Sequence, residues 1–214
     1  MPGRLSEHGL FFKEFLRNFH TTGAILPSGR FLAAALARFV TEGAAEGRKI
    51  LEVGPGTGPV TRRIVAGLGP DDRLDLVELN ESFVRQLRHR FETDEAFRAV
   101  ADRSRVLHCP VEDLRDAGSY DLIISGLPLN NFSGDAVRQI LATLTGLLKA
   151  GGTLSFFEYI AVRRARALIS GRAERARLRG IGQAMQAVLG PHEIRRDWVW
   201  PNVPPAWVHH VRPS

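Results

Sequence analysis

The stretch Lys49-Ile50-Leu51-Glu52-Val53-Gly54-Pro55-Gly56-Thr57-Gly58 decides how this chain is read. Its first half is a short apolar run of strand character, cut off by glycines at every second position. Pro59 then opens a helical pattern that reaches about Leu68. Glycines between a strand and a helix let the backbone come close to a ligand. The dinucleotide spacing G-x-G-x-x-G would put its third glycine at position 59, which is Pro59. The spacing here is acid-x-G-x-G-x-G, with Glu52 as the acid. That carboxylate would oppose a pyrophosphate but suits a ligand with ammonium and sulfonium charges, such as S-adenosylmethionine. A tight glycine turn with no ligand is the alternative.

Moving outward, the same rhythm repeats. Arg73–Glu78 reads as a second strand and Ser82–Phe91 as a helix. Arg105–His108 and Tyr120–Ser125 are strands three and four, and Asp135–Leu148 is a helix ended by Gly151-Gly152. Thr153–Ile160 is strand five; 162–189 is helical with a break at Gly180 to Gly182; 193–200 and 206–212 are extended. Upstream, 5–20 is an amphipathic helix, with Phe12, Phe15, Leu16 and Phe19 on one stripe. A second helix runs from Ser28, as N-cap, to about Glu42. Alternating strands and helices over 49–160 predict an α/β fold, a mostly parallel sheet with helices on both faces. Ligands bind such sheets outside the carboxyl ends of the strands.

Composition narrows the classes. The chain has 214 residues, 44% hydrophobic, which is consistent with a single domain over 1–214, its 1–45 helices forming a cover and 46–214 the core. One cysteine, Cys109, excludes a disulfide framework and a cysteine-based zinc cluster. No metal is expected. The longest strictly apolar run, Phe31 to Ala37, is far short of the ~20 residues of a spanning helix. Residues 1–25 lack a signal-peptide pattern, so a cytoplasmic protein is expected. A formal charge of +6 favours anionic partners: nucleic acid, an acidic membrane surface or an acidic substrate.

The candidate site residues follow strand ends. Glu78 lies 26 positions beyond Glu52 and ends strand two, next to Leu79. A carboxylate there accepts hydrogen bonds from both ribose hydroxyls of a nucleoside; a helix-capping role is the alternative. After strand three come Cys109-Pro110-Val111-Glu112-Asp113. Glu112 or Asp113 reads an exocyclic amine there, and the Val111 N–H a ring nitrogen, or the acids merely cap the turn. Strand four leads into Ser125-Gly126-Leu127-Pro128-Leu129-Asn130-Asn131-Phe132, where a methyl acceptor would sit against backbone carbonyls. The cofactor-binding set is therefore Glu52, Gly54, Gly56, Thr57, Gly58, Glu78, Leu79, Val111, Glu112 and Ser125.

Together these motifs resemble the class I S-adenosylmethionine-dependent methyltransferases, which implies a Rossmann-like, seven-stranded, mostly parallel sheet with an N-terminal helical extension. A narrower resemblance spans nearly the whole chain. It rests on Phe11-Phe12-Lys13, Thr22-Gly23-Ala24-Ile25-Leu26-Pro27-Ser28, the Leu51–Thr61 run, Leu127–Phe132, and Asn202-Val203-Pro204-Pro205-Ala206. These features are similar to bacterial phospholipid N-methyltransferases, which convert phosphatidylethanolamine stepwise to phosphatidylcholine. The resemblance puts Thr22 and Gly23 over the cofactor and makes His20 a base candidate. Ribosomal RNA adenine dimethyltransferases are less similar: their Asn-Leu-Pro-Tyr turn reads Gly126-Leu127-Pro128-Leu129 here. RNA and small-molecule methylation remain the alternatives.

Amine methylation needs a neutral nitrogen in line with the sulfonium methyl. Holding a primary amine of pKa about 10.4 neutral at pH 7 costs roughly 4–5 kcal/mol. Alignment contributes about 7–11 kcal/mol, so positioning outweighs base strength. Carbonyls near Ser125–Leu127 and the ring of Tyr159 are the expected orienting groups, with His20 as proton acceptor and Glu158 as a counter-charge. The expected partners are the lipid substrate and an anionic membrane surface at the inner face of the membrane. The phenylalanines of 5–20 and the arginines Arg163, Arg164, Arg166, Arg172, Arg175, Arg177 and Arg179 would reach that surface. The 161–196 stretch is longer and richer in arginine than the lipid family leads one to expect.

Overall fold

The computed structural model describes residues 29–43, 47–115, 117–160 and 172–213. The helix read at 5–20, His20, Thr22, Gly23, the Ser28 cap and the 161–171 arginines lie outside the described residues.

Among the described residues, seven strands form one sheet. They are β1 (Lys49–Val53), β2 (Arg73–Val77), β3 (Ser104–Leu107), β4 (Tyr120–Ser125), β5 (Leu148–Tyr159), β6 (Glu193–Val199) and β7 (Ala206–Val211). The order is β3-β2-β1-β4-β5-β7-β6; the first five are parallel and β7 runs antiparallel to both β5 and β6. β1 and β4 are almost wholly buried because helices cover both faces, which is what buries parallel strands. The helices are α1 (Arg30–Leu36), α2 (Arg38–Thr41), α3 (Pro59–Gly67), α4 (Glu81–Thr93), α5 (Glu95–Arg98), α6 (Gly134–Leu147) and α7 (Arg172–His192).

Two apolar layers result. On one face α6 and α7 pack onto Leu51, Ile123, Leu154 and Phe156. On the other, α1 and α3 pack onto Ile50, Leu122, Phe157 and Val208. Three expectations need correcting. The single helix expected to Glu42 is two, because Ala37 leaves helical geometry at φ −82°, ψ 5°. Gly151-Gly152 does not end a helix. α6 stops at Leu147, and the pair lies inside β5, where Gly151 takes φ +75°. Gly180 does not break α7; its backbone lies close against α6 because position 134 there is glycine, where a Cβ would fall 2.7 Å from the Gly180 carbonyl carbon.

Polar groups tie the sheet at both ends. Buried Asp72 accepts from the Arg48 N–H at 2.8 Å, the Gly69 N–H at 2.8 Å and the Arg48 guanidinium at 2.6 Å. Arg48 in turn donates to the Val40 carbonyl, fixing α2 to the foot of β1. At the far edge Ser155, His210 and Asp197 form a buried chain across β5, β7 and β6, with contacts of 2.7 and 3.2 Å. Neither Ser155 nor His210 is accessible, so this chain braces the sheet.

Burial alone would raise the Asp72 carboxyl; Arg48 and the two backbone N–H groups outweigh it and hold it below its ordinary value. A depressed carboxyl adds stability that is present above its unfolded value and lost as pH falls through its folded one. Asp72→Asn should therefore cost about 3–5 kcal/mol in urea unfolding at pH 7. That deficit should shrink in acid, below the ordinary Asp value of 3.8.

Candidate functional site

β1 lies between β2 and β4, where the strand order reverses, and this is where such sheets leave a crevice. The Gly54 N–H bonds the Val77 carbonyl at 2.9 Å and the Gly126 N–H bonds the Val53 carbonyl at 2.8 Å. Three turns therefore meet at one point. Gly54, Gly56 and Gly58 all take positive φ, at 69°, 56° and 81°. A Cβ at Gly54 would fall 2.7 Å from Leu127 Cδ2, and one at Gly126 would fall 2.6 Å from the Gly54 carbonyl oxygen. At Gly56 a Cβ would meet nothing within 4 Å, so the loop crest faces an open cradle.

Two acidic side chains, Glu52 and Glu78, lie at that cradle's base. Glu52 is fully buried, and among the described residues neither of its carboxyl oxygens has a hydrogen-bond partner. Burial pushes its pKa up to about 8; the neighbouring Thr61 opposes the shift, and the Glu78 charge adds to it. Thr61 is beside the carboxyl but outside hydrogen-bond geometry, its own hydroxyl also unpartnered. Glu78 is buried as well. Its Oε2 accepts from the Gly56 N–H at 3.0 Å and its Oε1 from the Asn80 N–H at 2.8 Å. Burial raises this carboxyl too, while the Asn80, Gly56 and Leu79 N–H groups and His108 oppose it. Glu78 thus caps the helix entry and braces the glycine loop at once; a carboxylate keeps further lone pairs for ribose hydroxyls. Leu79 packs partly into the core and its carbonyl meets His108 Nε2 at 3.0 Å.

After β3 the chain makes a short turn over Val111–Asp113. Val111 is buried, and Asp113 faces solvent. Glu112 is half-buried, with Oε2 enclosed and unpartnered among the described residues. Of the two acids open to an exocyclic amine, the geometry therefore favours Glu112. A carboxylate without a partner among the described residues below, another beside the turn and an open glycine cradle fit a ligand with an ammonium end and an adenine end. Glu52, the Gly54–Gly58 loop with Thr57, Glu78 and Val111–Glu112 would hold it.

On the acceptor side, Ser125 is buried and its Oγ accepts from the Leu127 N–H at 3.4 Å. Leu127 turns its side chain into the core, leaving only its backbone to face a ligand. Tyr159 ends β5, half-buried, its ring edge-on to Phe157 at 5.1 Å. Burial raises its hydroxyl above the ordinary value, so it acts as a neutral phenol and not as a base. Glu158 lies 3.6 Å from His209 Nε2. Arg177, expected on the charged outer surface, instead donates to the Asn130 and Phe132 carbonyls at 3.2 and 2.6 Å. Asn202 ties the 200–205 loop to the start of α1 through the Gly29 N–H at 3.2 Å. Thr61 and Asn130 were not singled out by sequence reasoning, although Asn130 lies in a motif that was.

A ligand cation beside Glu52 would favour its ionised form. Binding of S-adenosylmethionine at pH 7 should then release about one proton, seen as a buffer-dependent calorimetric enthalpy. Glu52→Gln should abolish that release. Gly56→Val, strained at positive φ and filling the cradle, should weaken binding by about tenfold or more. Unchanged affinity in Gly56→Val and in Glu78→Ala would contradict the assignment.

Comparison with known proteins agrees with this geometry. Residues 50–152 match the family described as "Methyltransferase domain". The ornithine lipid N-methyltransferase of Singulisphaera acidiphila is 29% identical over 146 residues, 68% of this chain and 74% of that protein. Ribosomal RNA small subunit methyltransferase A of Pseudomonas aeruginosa is 31% identical over 119 residues, 55% of this chain but 39% of that protein. Among solved structures, the O-methyltransferase TomG of Streptomyces achromogenes, in complex with SAM, superposes with a TM-score of 0.60. It is 16% identical, with 100% of this chain and 93% of that one covered. Domain match, strand order and superposition converge on a Rossmann-like methyltransferase fold, with a crevice whose residues fit S-adenosylmethionine as cofactor.

Proposed function

We propose that this methyltransferase acts on the primary amine of a membrane-lipid headgroup, with phosphatidylethanolamine and its methylated derivatives as substrates at the membrane surface. The observation that carries this reading is the extent of the likeness to a lipid N-methyltransferase, which spans 74% of that relative against 39% of the ribosomal RNA enzyme. The rim of the site supports it. Trp198 and Trp200 are 58% and 67% exposed and Val203 is 72% exposed. All three sit at the end of the sheet where β5 delivers Tyr159, since Val199 and Tyr159 both pair with Ala206. Tryptophans of this kind favour a boundary that is apolar on one side and wet on the other. No helix among the described residues is long and apolar enough to cross a membrane.

When bound, S-adenosylmethionine supplies an electrophilic methyl group on a sulfonium. The chain's own part is placement. The Ser125–Leu127 turn and the Tyr159 region present acceptors to an N–H donor, and the Tyr159 ring offers a face to the methylated cation. In-line positioning of the nitrogen supplies most of the rate.

Label transfer from the methyl donor separates the possibilities. Vesicles containing phosphatidylethanolamine should take up label, whereas ribosomal RNA and polar metabolites should not. Trp198→Ser with Trp200→Ser should lower turnover on vesicles severalfold while sparing a short-chain lipid in monomeric solution. Uptake by RNA alone would overturn the lipid reading.

A further inference from the structure

The turn Leu129–Asn131, which follows β4, holds a buried acceptor that the fold leaves unused. Asn130 is 3% exposed. Its Nδ2 donates to the Tyr159 carbonyl at 3.3 Å. A carbonyl only accepts, so the amide must present its nitrogen there and its oxygen on the other side. That Oδ1 is enclosed and has no partner among the described residues. Arg177 meanwhile occupies the Asn130 and Phe132 carbonyls, fixing the turn from behind. The side-chain oxygen is thus a rigid acceptor between the carboxyl ends of β4 and β5, for which the described residues provide no donor.

We propose that Asn130 Oδ1 accepts a hydrogen bond from the N–H of the methyl-accepting amine, and so sets which methylation states are handled well. This rests on the amine reading above. In each transfer the neutral nitrogen's lone pair forms the new N–C bond while the carbon–sulfur bond breaks and its electron pair stays on sulfur. The resulting ammonium sheds one N–H proton to water before the next round. A primary amine keeps two N–H groups as it reacts, a secondary amine one and a tertiary amine none. Asn130 therefore aligns the first two transfers and has nothing to hold in the third.

The test measures kcat and KM of wild type, Asn130→Leu and Asn130→Asp on phosphatidylethanolamine and its monomethyl and dimethyl forms. Asn130→Leu should lose about tenfold or more on the first two substrates and change little on the dimethyl form. Asn130→Asp keeps an acceptor oxygen while losing the donor to Tyr159, so it should retain the first two activities. A binding readout runs beside these. With S-adenosylhomocysteine present, calorimetry on dihexanoyl phosphatidylethanolamine and dihexanoyl phosphatidylcholine should find a preference for the amine lipid that Asn130→Leu abolishes. An equal loss on all three substrates, or Asn130→Asp failing like Asn130→Leu, would make Asn130 a brace for the turn and overturn the proposal. Should Asn130→Leu not fold, the Asn130→Asp outcome decides alone. Wild type inactive on all three lipids would instead remove the amine reading and this proposal with it.

Discussion

The close approach of two backbone turns organises this molecule. Gly126 sits so near Gly54 that a single added carbon would fall 2.6 Å from the Gly54 carbonyl oxygen. The bonds from the Gly54 and Gly126 N–H groups to Val77 and Val53 draw the ends of β1, β2 and β4 to a common point. The crevice at the reversal of strand order is formed there, and the cofactor loop and the acceptor turn share its walls. The positive φ angles that make the loop possible are open to glycine and strained for other residues.

Charge gives this crevice its selectivity. Two buried carboxyls, Glu52 and Glu78, flank one loop, and each is pushed upward by burial. They differ in what satisfies them. Glu78 is held by backbone N–H groups, whereas Glu52 has no partner and needs a cation to ionise at low cost. Among the described residues Glu112, in the turn after β3, adds a second carboxyl with an unmet oxygen. A site built of unmet acceptors disfavours a phosphate ligand and favours one that brings N–H and positive charge.

Much of this was legible in the sequence because local patterns carried it. The acid-glycine spacing at 52–58 and the apolar runs of β1, β2 and β4 need no tertiary knowledge to read. The errors came where distant residues decide. Gly180 looked like a helix break, but α7 runs through it, packed there against Gly134 of α6. Gly151 looked like a helix stop, and the sheet absorbed it inside β5. Arg177 read as one more surface arginine in a basic run, yet it clamps the acceptor turn 45 residues away in sequence. Asn130 and Thr61 carry no local signal, because what marks them is the absence of a partner, and partners are set by the fold. Burial likewise separates Glu112 from Asp113, a difference that one turn of sequence does not reveal.

The central claim is that one crevice at the β1–β4 junction holds the whole cofactor. A crystal structure with S-adenosylhomocysteine tests it most directly. The account predicts the ribose on Glu78, the adenine amine on Glu112 Oε2, the amino-acid end over the Gly54–Gly58 loop on the Glu52 side, and the sulfur facing the Ser125–Leu127 turn. A ligand bound elsewhere, or bound with the Glu52 and Glu112 carboxyls still unpartnered, would contradict it.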